Sequence, residues 1–184
     1  ILTAMNNPKI NEELKNENNV FDVDVTKLII NVNNSGITGK QLGDILRYKY
    51  NIEVEMDSLK YVLGITTICD DYKELERLAE ALKEIDKSLE EKQNENISVE
   101  LLKNKRMYSI YETDLKEKNT VNLFDSKDCI SGEFVFLYPP GIPLVVPGEV
   151  ITEELLEQIK VYLEANMNIS GLKDNSNKTI EVVK

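Results

Sequence analysis

The sequence predicts an α+β chain organised as two small α/β-type domains, residues 1–93 and 97–184. Three observations carry this reading. Apolar runs of β type and stretches with helical spacing follow one another in the order β-α-β-β-α as far as Lys92. A polar break, Gln93-Asn94-Glu95-Asn96, separates that block from the remainder. Beyond it lies Tyr138-Pro139-Pro140-Gly141-Ile142-Pro143-Leu144-Val145-Val146-Pro147-Gly148-Glu149, which holds four of the five prolines and two of the eight glycines.

In chain order, residues 1–20 carry Leu2, Met5 and Ile10 loosely spaced and then turn polar, which predicts the tail of a helix and a connection. Val23–Val32, with Leu28-Ile29-Ile30 at its centre, predicts a buried strand. Asn33-Asn34-Ser35-Gly36 is turn chemistry, and Gly36 and Gly39 read as turn glycines. Thr38 with Gln41 three residues on forms a capping box, and Leu42, Ile45, Leu46 and Lys49 supply the stripe of an amphipathic helix closed by Tyr50-Asn51. Ile52–Met56 alternates with period two, and Tyr61–Thr66 predicts a second, more buried strand. A long helix is expected from Asp71 to Lys92, with Leu75, Leu78, Ala79, Leu82, Ile85 and Leu89 inward.

In the second block Val99–Leu102 is short and apolar, and Met107 and Tyr108 read as core. Thr120–Leu123 alternates like an edge strand, Thr152 caps a helix with Leu155, Leu156, Ile159 and Leu163 on one face, and Thr179–Val183 closes the chain as a strand. Between them the prolines fix φ near −65° and remove backbone donors, so Tyr138–Glu149 is a stiff corner and not a central strand. The sequence predicts a cis bond at Tyr138-Pro139 or Pro139-Pro140, and Gly141 at positive φ, where Gly141→Val would clash and abolish cooperative unfolding. It also predicts that Leu144-Val145-Val146 packs on Phe134–Leu137.

Composition removes several function classes. Against 33 Asp and Glu there are 22 Lys and Arg, a net charge of −11, which argues against nucleic acid and suits cationic small molecules as well as plain solubility. No apolar run has the length of a membrane span and no signal pattern opens the chain. Cys69 and Cys129 lack ligand spacing, so reduced thiols in the cytoplasm are expected, with no disulfide framework and no metal site. There is no histidine, which removes Ser-His-Asp and Cys-His machinery and histidine-ligated metals. Gly36-Ile37-Thr38-Gly39 opens a helix after a strand but lacks the lysine and spacing of a phosphate loop. The chain opens Ile-Leu-Thr-Ala-Met, without Met at position 1, and is expected to be a piece of something longer.

The string Tyr138-Pro139-Pro140-Gly141-Ile142-Pro143, three residues, Pro147-Gly148-Glu149 and then Ile151-Thr152-Glu153-Glu154 resembles the carboxy-terminal-domain signature of the bacterial ornithine/lysine/arginine decarboxylases. These are pyridoxal-phosphate enzymes of the aspartate-aminotransferase-like fold. The resemblance extends over Leu2–Lys92 as their small domain. Two departures stand out: Asn104-Lys105 precedes Arg106 where the family has proline, and Asp128-Cys129-Ile130 replaces Gly-Arg-Ile, although Glu133 matches.

The resemblance implies a carboxy-lyase acting on arginine, lysine or ornithine and feeding polyamine synthesis, arginine leading because short family members often act on it. The family's cofactor lysine follows a histidine, so the resemblance places pyridoxal phosphate on a large domain missing from this chain, which alone would be colourless and inactive. It implies substrate contact at Glu55, which follows Ile52-Glu53-Val54 as the family's glutamate follows Ile-x-Val and would meet the substrate's distal cation. It also implies that Tyr138 lines the entrance of a neighbouring subunit's site in a homodimer or larger assembly. From the residues alone, Glu55 is an exposed acid on an alternating strand, Tyr138 braces its turn against Pro139, and Glu149 complements the following helix dipole. The reading from a different class is a free-standing, non-catalytic interaction or regulatory protein derived from the enzyme's tail.

Overall fold

The computed structural model describes residues 2–4, 24–92 and 102–184. The chain divides into two compact units, Ile1–Ile97 and Ser98–Lys184. The polar break at Gln93–Asn96, residues 99–101 of the apolar run Val99–Leu102, and Met5 and Ile10 of the opening segment lie outside the described residues.

The first unit is an antiparallel four-stranded sheet of order β1-β2-β4-β3, with β1 Thr3–Ala4, β2 Lys27–Asn31, β3 Met56–Asp57 and β4 Tyr61–Ile65. Helices α1, Gly39–Tyr50, and α2, Tyr72–Ser88, give their Leu42, Leu46, Ala81 and Ile85 to one core with Ile30, Val32 and Val62. Each such aliphatic removed from water contributes about 1.5–3 kcal/mol. The capping box is present as the sequence predicts: Gln41 N–H donates to Thr38 Oγ1 and Thr38 N–H to Gln41 Oε1. Asn51, at φ 52°, ends α1 in the left-handed conformation that its short polar side chain tolerates.

Five readings need correction here. Leu2–Ala4 is no helix tail: β1 pairs with β2 as Thr3↔Asn31 and Ala4↔Ile30, a tertiary pairing too short to leave periodicity. The strand expected from Val23 begins at Lys27, and Val25 is exposed. Ile52 and Val54 pack on the core in alternation with exposed Glu53 and Glu55, but the ladder begins only at Met56. The long helix ends at Ser88, and its inward stripe runs through Ala81 rather than the exposed Ala79, with Leu75 40% exposed. Gly39 is helical and not a turn residue: a Cβ there would lie 2.2 Å from the Tyr61 carbonyl oxygen, so the glycine admits the β3–β4 hairpin against α1.

The second unit has a two-stranded ribbon, β5 Lys118–Asn122 with β9 Thr179–Val183, and a three-stranded sheet of order β7-β6-β8. Here β6 is Val135–Leu137, β7 Ile142–Val145 and β8 Ile169–Ser170. A one-turn helix α3, Ile110–Asp114, precedes β5, and α4, Glu153–Glu164, follows the proline-rich arm with Thr152 as its cap. Leu155, Leu156, Ile159 and Tyr162 of α4 are buried, and Leu163 of the predicted face is half-buried. Met107 is 46% exposed and Tyr108 half-buried beneath the Lys116 ammonium, so the pair is not the expected core. Their backbone makes the tertiary contact instead, with both amides donating to the Gly148 carbonyl. Both units mix helices with small antiparallel sheets, an α+β architecture.

Candidate functional site

The proline-rich arm is a hairpin. β7 pairs antiparallel with β6 through Val135↔Val145, Phe136↔Pro143 and Leu137↔Ile142, so the arm packs on Phe134–Leu137 as predicted, with Val145 buried. Both Tyr138-Pro139 and Pro139-Pro140 are cis. Gly141 has φ +98°, as expected, a backbone that strains any side chain, but the space beside it is open: a Cβ would meet only Tyr138 Cδ2, at 3.8 Å. The steric demand falls on Gly148 instead. There φ is +92°, and a Cβ would lie 2.2 Å from the Tyr108 carbonyl oxygen.

The carboxylate of Glu149 does not serve the α4 dipole as the sequence suggests. It turns back on the arm, accepting from Val146 N–H at 3.2 Å and the Asn104 amide at 3.3 Å. Asn104 also donates to the Leu144 carbonyl at 2.7 Å, so the segment before α3 is laced to the arm by side chains and backbone together. Tyr138 stands at the tip, 56% exposed, its amide held by the Asn168 carbonyl at 2.9 Å. The aromatic ring is thus presented by a fixed backbone.

Two residues singled out by the family pattern acquire structural roles. Asp128 lies at φ +63°, the left-handed region that glycine enters most readily and that a short polar side chain tolerates. Glu133 is buried, with Oε1 accepting from Lys173 N–H at 3.0 Å and Oε2 from Glu181 N–H at 2.8 Å. It ties β9 and the β8–β9 connection to the stretch leading into β6. Arg106, by contrast, is exposed and joins Glu149 by a backbone bridge.

In the first unit Glu55 immediately precedes β3, its amide donating to the Leu63 carbonyl at 2.8 Å. The side chain is exposed, and among the described residues none donates to its carboxylate. Its neighbour Glu53 is engaged by the Arg47 guanidinium, which holds that carboxyl below its ordinary range. The alternation Ile52-Glu53-Val54-Glu55 therefore places one acid in a surface ion pair and leaves the other open. Sequence reasoning passed over Asp57, two residues on, which packs against α1 where a Cβ at Gly43 would lie 2.9 Å from its Oδ2. Burial raises the pKa of Asp57, with Lys40 at 3.9 Å opposing and Asp44 reinforcing the rise. The mid-helix glycine was the available signal. Glu55 and Tyr138 belong to different units, and each is placed by its own unit alone.

The described residues do not fit pyridoxal phosphate. The chain has no histidine for the family's cofactor motif. The start of α1, where Gly36–Gly39 offered a phosphate site, has its amides occupied: Gly39 N–H donates to the Leu59 carbonyl and Lys40 N–H to that of Ser58. Among the described residues no cluster of His, Cys, Asp and Glu could hold a metal, and no helix is long and apolar enough to cross a membrane. Both cysteines are free thiols.

Comparison with known proteins gives this geometry its family. Residues 90–175 match the family described as Orn/Lys/Arg decarboxylase, C-terminal domain. The arginine decarboxylase of Bacillus subtilis (strain 168) is 35% identical over 178 residues, covering 95% of this chain and 36% of that protein. That of Bacillus anthracis is 32% identical over 176 residues, covering 94% of this chain and 36% of the relative. The chain therefore spans little more than a third of the length of these relatives. Among solved structures, the E. coli constitutive lysine decarboxylase matches with a TM-score of 0.68 over 89% of this chain and 32% of that one, at 17% identity, a likeness of fold. With the signature seated in a turn that uses its glycines and its glutamate, residues 90–175 belong to the family of Orn/Lys/Arg decarboxylase C-terminal domains, and the chain is similar to arginine decarboxylases over nearly its full length.

Proposed function

We propose that this chain serves as the carboxy-terminal region of a cytoplasmic, pyridoxal-phosphate-dependent decarboxylase of a basic amino acid, arginine foremost, that supplies polyamine synthesis. The observation that supports it most is the 35% identity to an arginine decarboxylase sustained over 95% of this chain. Pyridoxal phosphate supplies an electron sink at the reacting carbon when bound, and residues of the longer protein hold it. This chain's part is recognition and assembly. Glu55, open on the surface of its unit, meets the distal cation of the substrate through a charge-assisted hydrogen bond, bidentate where the cation is a guanidinium. Tyr138, exposed at the tip of a rigid hairpin, lines the entrance to a neighbouring subunit's site in a homodimer or higher oligomer.

Glu55→Gln in the full-length enzyme tests the recognition role. Loss of a charged partner to a buried cation costs about 2–5 kcal/mol, so KM for the basic amino acid should rise steeply while cofactor content stays constant. Unchanged kinetics would remove Glu55 from the site. The chain by itself, mixed with pyridoxal phosphate, should develop no saturable visible absorption and release no carbon dioxide from arginine, lysine or ornithine. Turnover by the chain alone would overturn the division of labour.

A further inference from the structure

Strand β4 carries a glycine that the described residues of its unit do not require. Gly64 pairs with Leu28 in mid-strand, away from positive φ, and a Cβ there would meet nothing closer than Leu28 Cβ and carbonyl oxygen at 3.9 Å. In the same unit Gly39 and Gly43 admit neighbours that a Cβ would strike, at 2.2 and 2.9 Å. A glycine inside a strand weakens it and often marks close approach by a ligand or another backbone. Among the described residues none makes that approach.

Gly64 lies on the floor of a cleft of about 200 Å³ between the sheet and the first turns of α2. Leu28 and Ile30 flank Gly64 on the floor, Ile52 stands on one side, and Leu75 and Leu78 of α2 form the other. The 40% exposure of Leu75, an apolar residue on the inward stripe, follows from this gap. The rim is acidic: Asp70 and Glu74 stand with one guanidinium of the lining, Arg77, while the third rim acid, Glu53, is held by Arg47. Arg77 makes a long bond of 3.5 Å to the Tyr50 carbonyl. Asp70 accepts from Thr67 N–H and Glu74 from Asp71 N–H, and each ionised carboxylate keeps further lone pairs for an incoming donor.

We propose that this cleft binds a small linear aliphatic amine or diamine, its methylenes lying over Gly64 between Leu28 and Leu78 and its ammonium groups among the rim carboxylates. The cleft is smaller than the roughly 300–1,000 Å³ of sites for drug-sized ligands, which suits an unbranched chain. Its apolar floor calls for methylenes, and its acidic rim calls for cations and disfavours a ligand carboxylate. The net charge of −11 assists the approach of a cation. This site goes beyond the decarboxylase reading and does not rest on it, because Glu55 is not among the residues that line it.

Titration of the 184-residue chain with hexamethylenediamine, followed by two-dimensional amide NMR, tests the proposal. We expect saturable shifts at Leu28, Gly64 and Leu78, weakening as salt is raised, and binding of hexanol weaker by about tenfold or more. Gly64→Val should fill the floor and abolish binding while unfolding remains cooperative. Asp70→Asn keeps an acceptor for Thr67 N–H and, should the first variant fail to fold, decides alone, with affinity expected to fall about tenfold. Shifts that do not saturate, hexanol binding as tightly as the diamine, or unchanged affinity in the folded variants would overturn the proposal.

Discussion

The two ends of the proline-rich arm share one sequence signature and answer to different demands. At its base, every distinctive residue is used by the chain itself. Gly148 must lack a side chain because the Tyr108 carbonyl occupies its place, and Glu149 satisfies Val146 and Asn104. At its tip, Gly141 has space around it, and Tyr138 and Ile142 stand 56% and 42% exposed. The base is architecture. The tip is a rigid presentation of apolar groups for which this unit's own packing has no use, which is why Tyr138 stays a site candidate while Glu149 does not.

The comparison breaks first at the glycines. Gly148→Ala combines a left-handed backbone with a backbone clash, and the loss expected from those two causes is about 3–5 kcal/mol, read as a collapse of the urea midpoint. Gly141→Ala meets only the backbone penalty, about 1–2 kcal/mol. Equal losses would erase the distinction between base and tip. Glu133→Ala falls between them: it leaves the amides of Lys173 and Glu181 without their buried acceptor, an expected loss of about 2–4 kcal/mol. Hydrogen exchange should then quicken at those two amides, and unchanged protection would contradict the assignment.

A smaller effect concerns acid. Asp174 gathers the Ser176 hydroxyl and amide, the Lys178 amide and the Thr179 amide and hydroxyl, and these bonds, the Ser176 hydroxyl first, hold its carboxyl well below the ordinary range. A depressed folded-state pKa means that the folded state favours the ionised form. Its contribution to stability is therefore complete above the unfolded value near 4 and is lost as pH falls below it towards the folded value. Asp174→Asn should flatten the acid limb of the urea midpoint below about pH 4 and leave the neutral limb parallel to wild type. An unchanged acid limb would show that the turn does not depend on the charge.

Much of this was legible in the sequence because it is local. The Thr38–Gln41 capping box, the Asn51 stop, the Thr152 cap and the arm's return onto Phe134–Leu137 are set by residues a few positions apart. What the sequence hid is tertiary. A glycine's identity does not say whether it turns the chain or admits a neighbour, so Gly39 reads as a turn residue though it is helical, and nothing in the sequence shows that Gly148 is more tightly enclosed than Gly141. β1 exists only because β2 has an edge to pair, and the stripe of α2 shifted to Ala81 because the sheet lies on that side. At the candidate site, the pattern Ile-x-Val-Glu singled out Glu55, but that Glu53 is engaged by Arg47 while Glu55 stays open needed coordinates. Asp57 left no trace beyond the glycine facing it.

The most direct test of the base-and-tip division is Tyr138→Ala in the full-length enzyme, with thermal unfolding and kcat/KM measured on the same preparation. An exposed ring on a backbone held by Asn168 contributes little to its own unit, so Tm should stay at the wild-type value while kcat/KM for the basic amino acid falls. A lowered Tm with kcat/KM intact would show that Tyr138 braces its turn and serves no site.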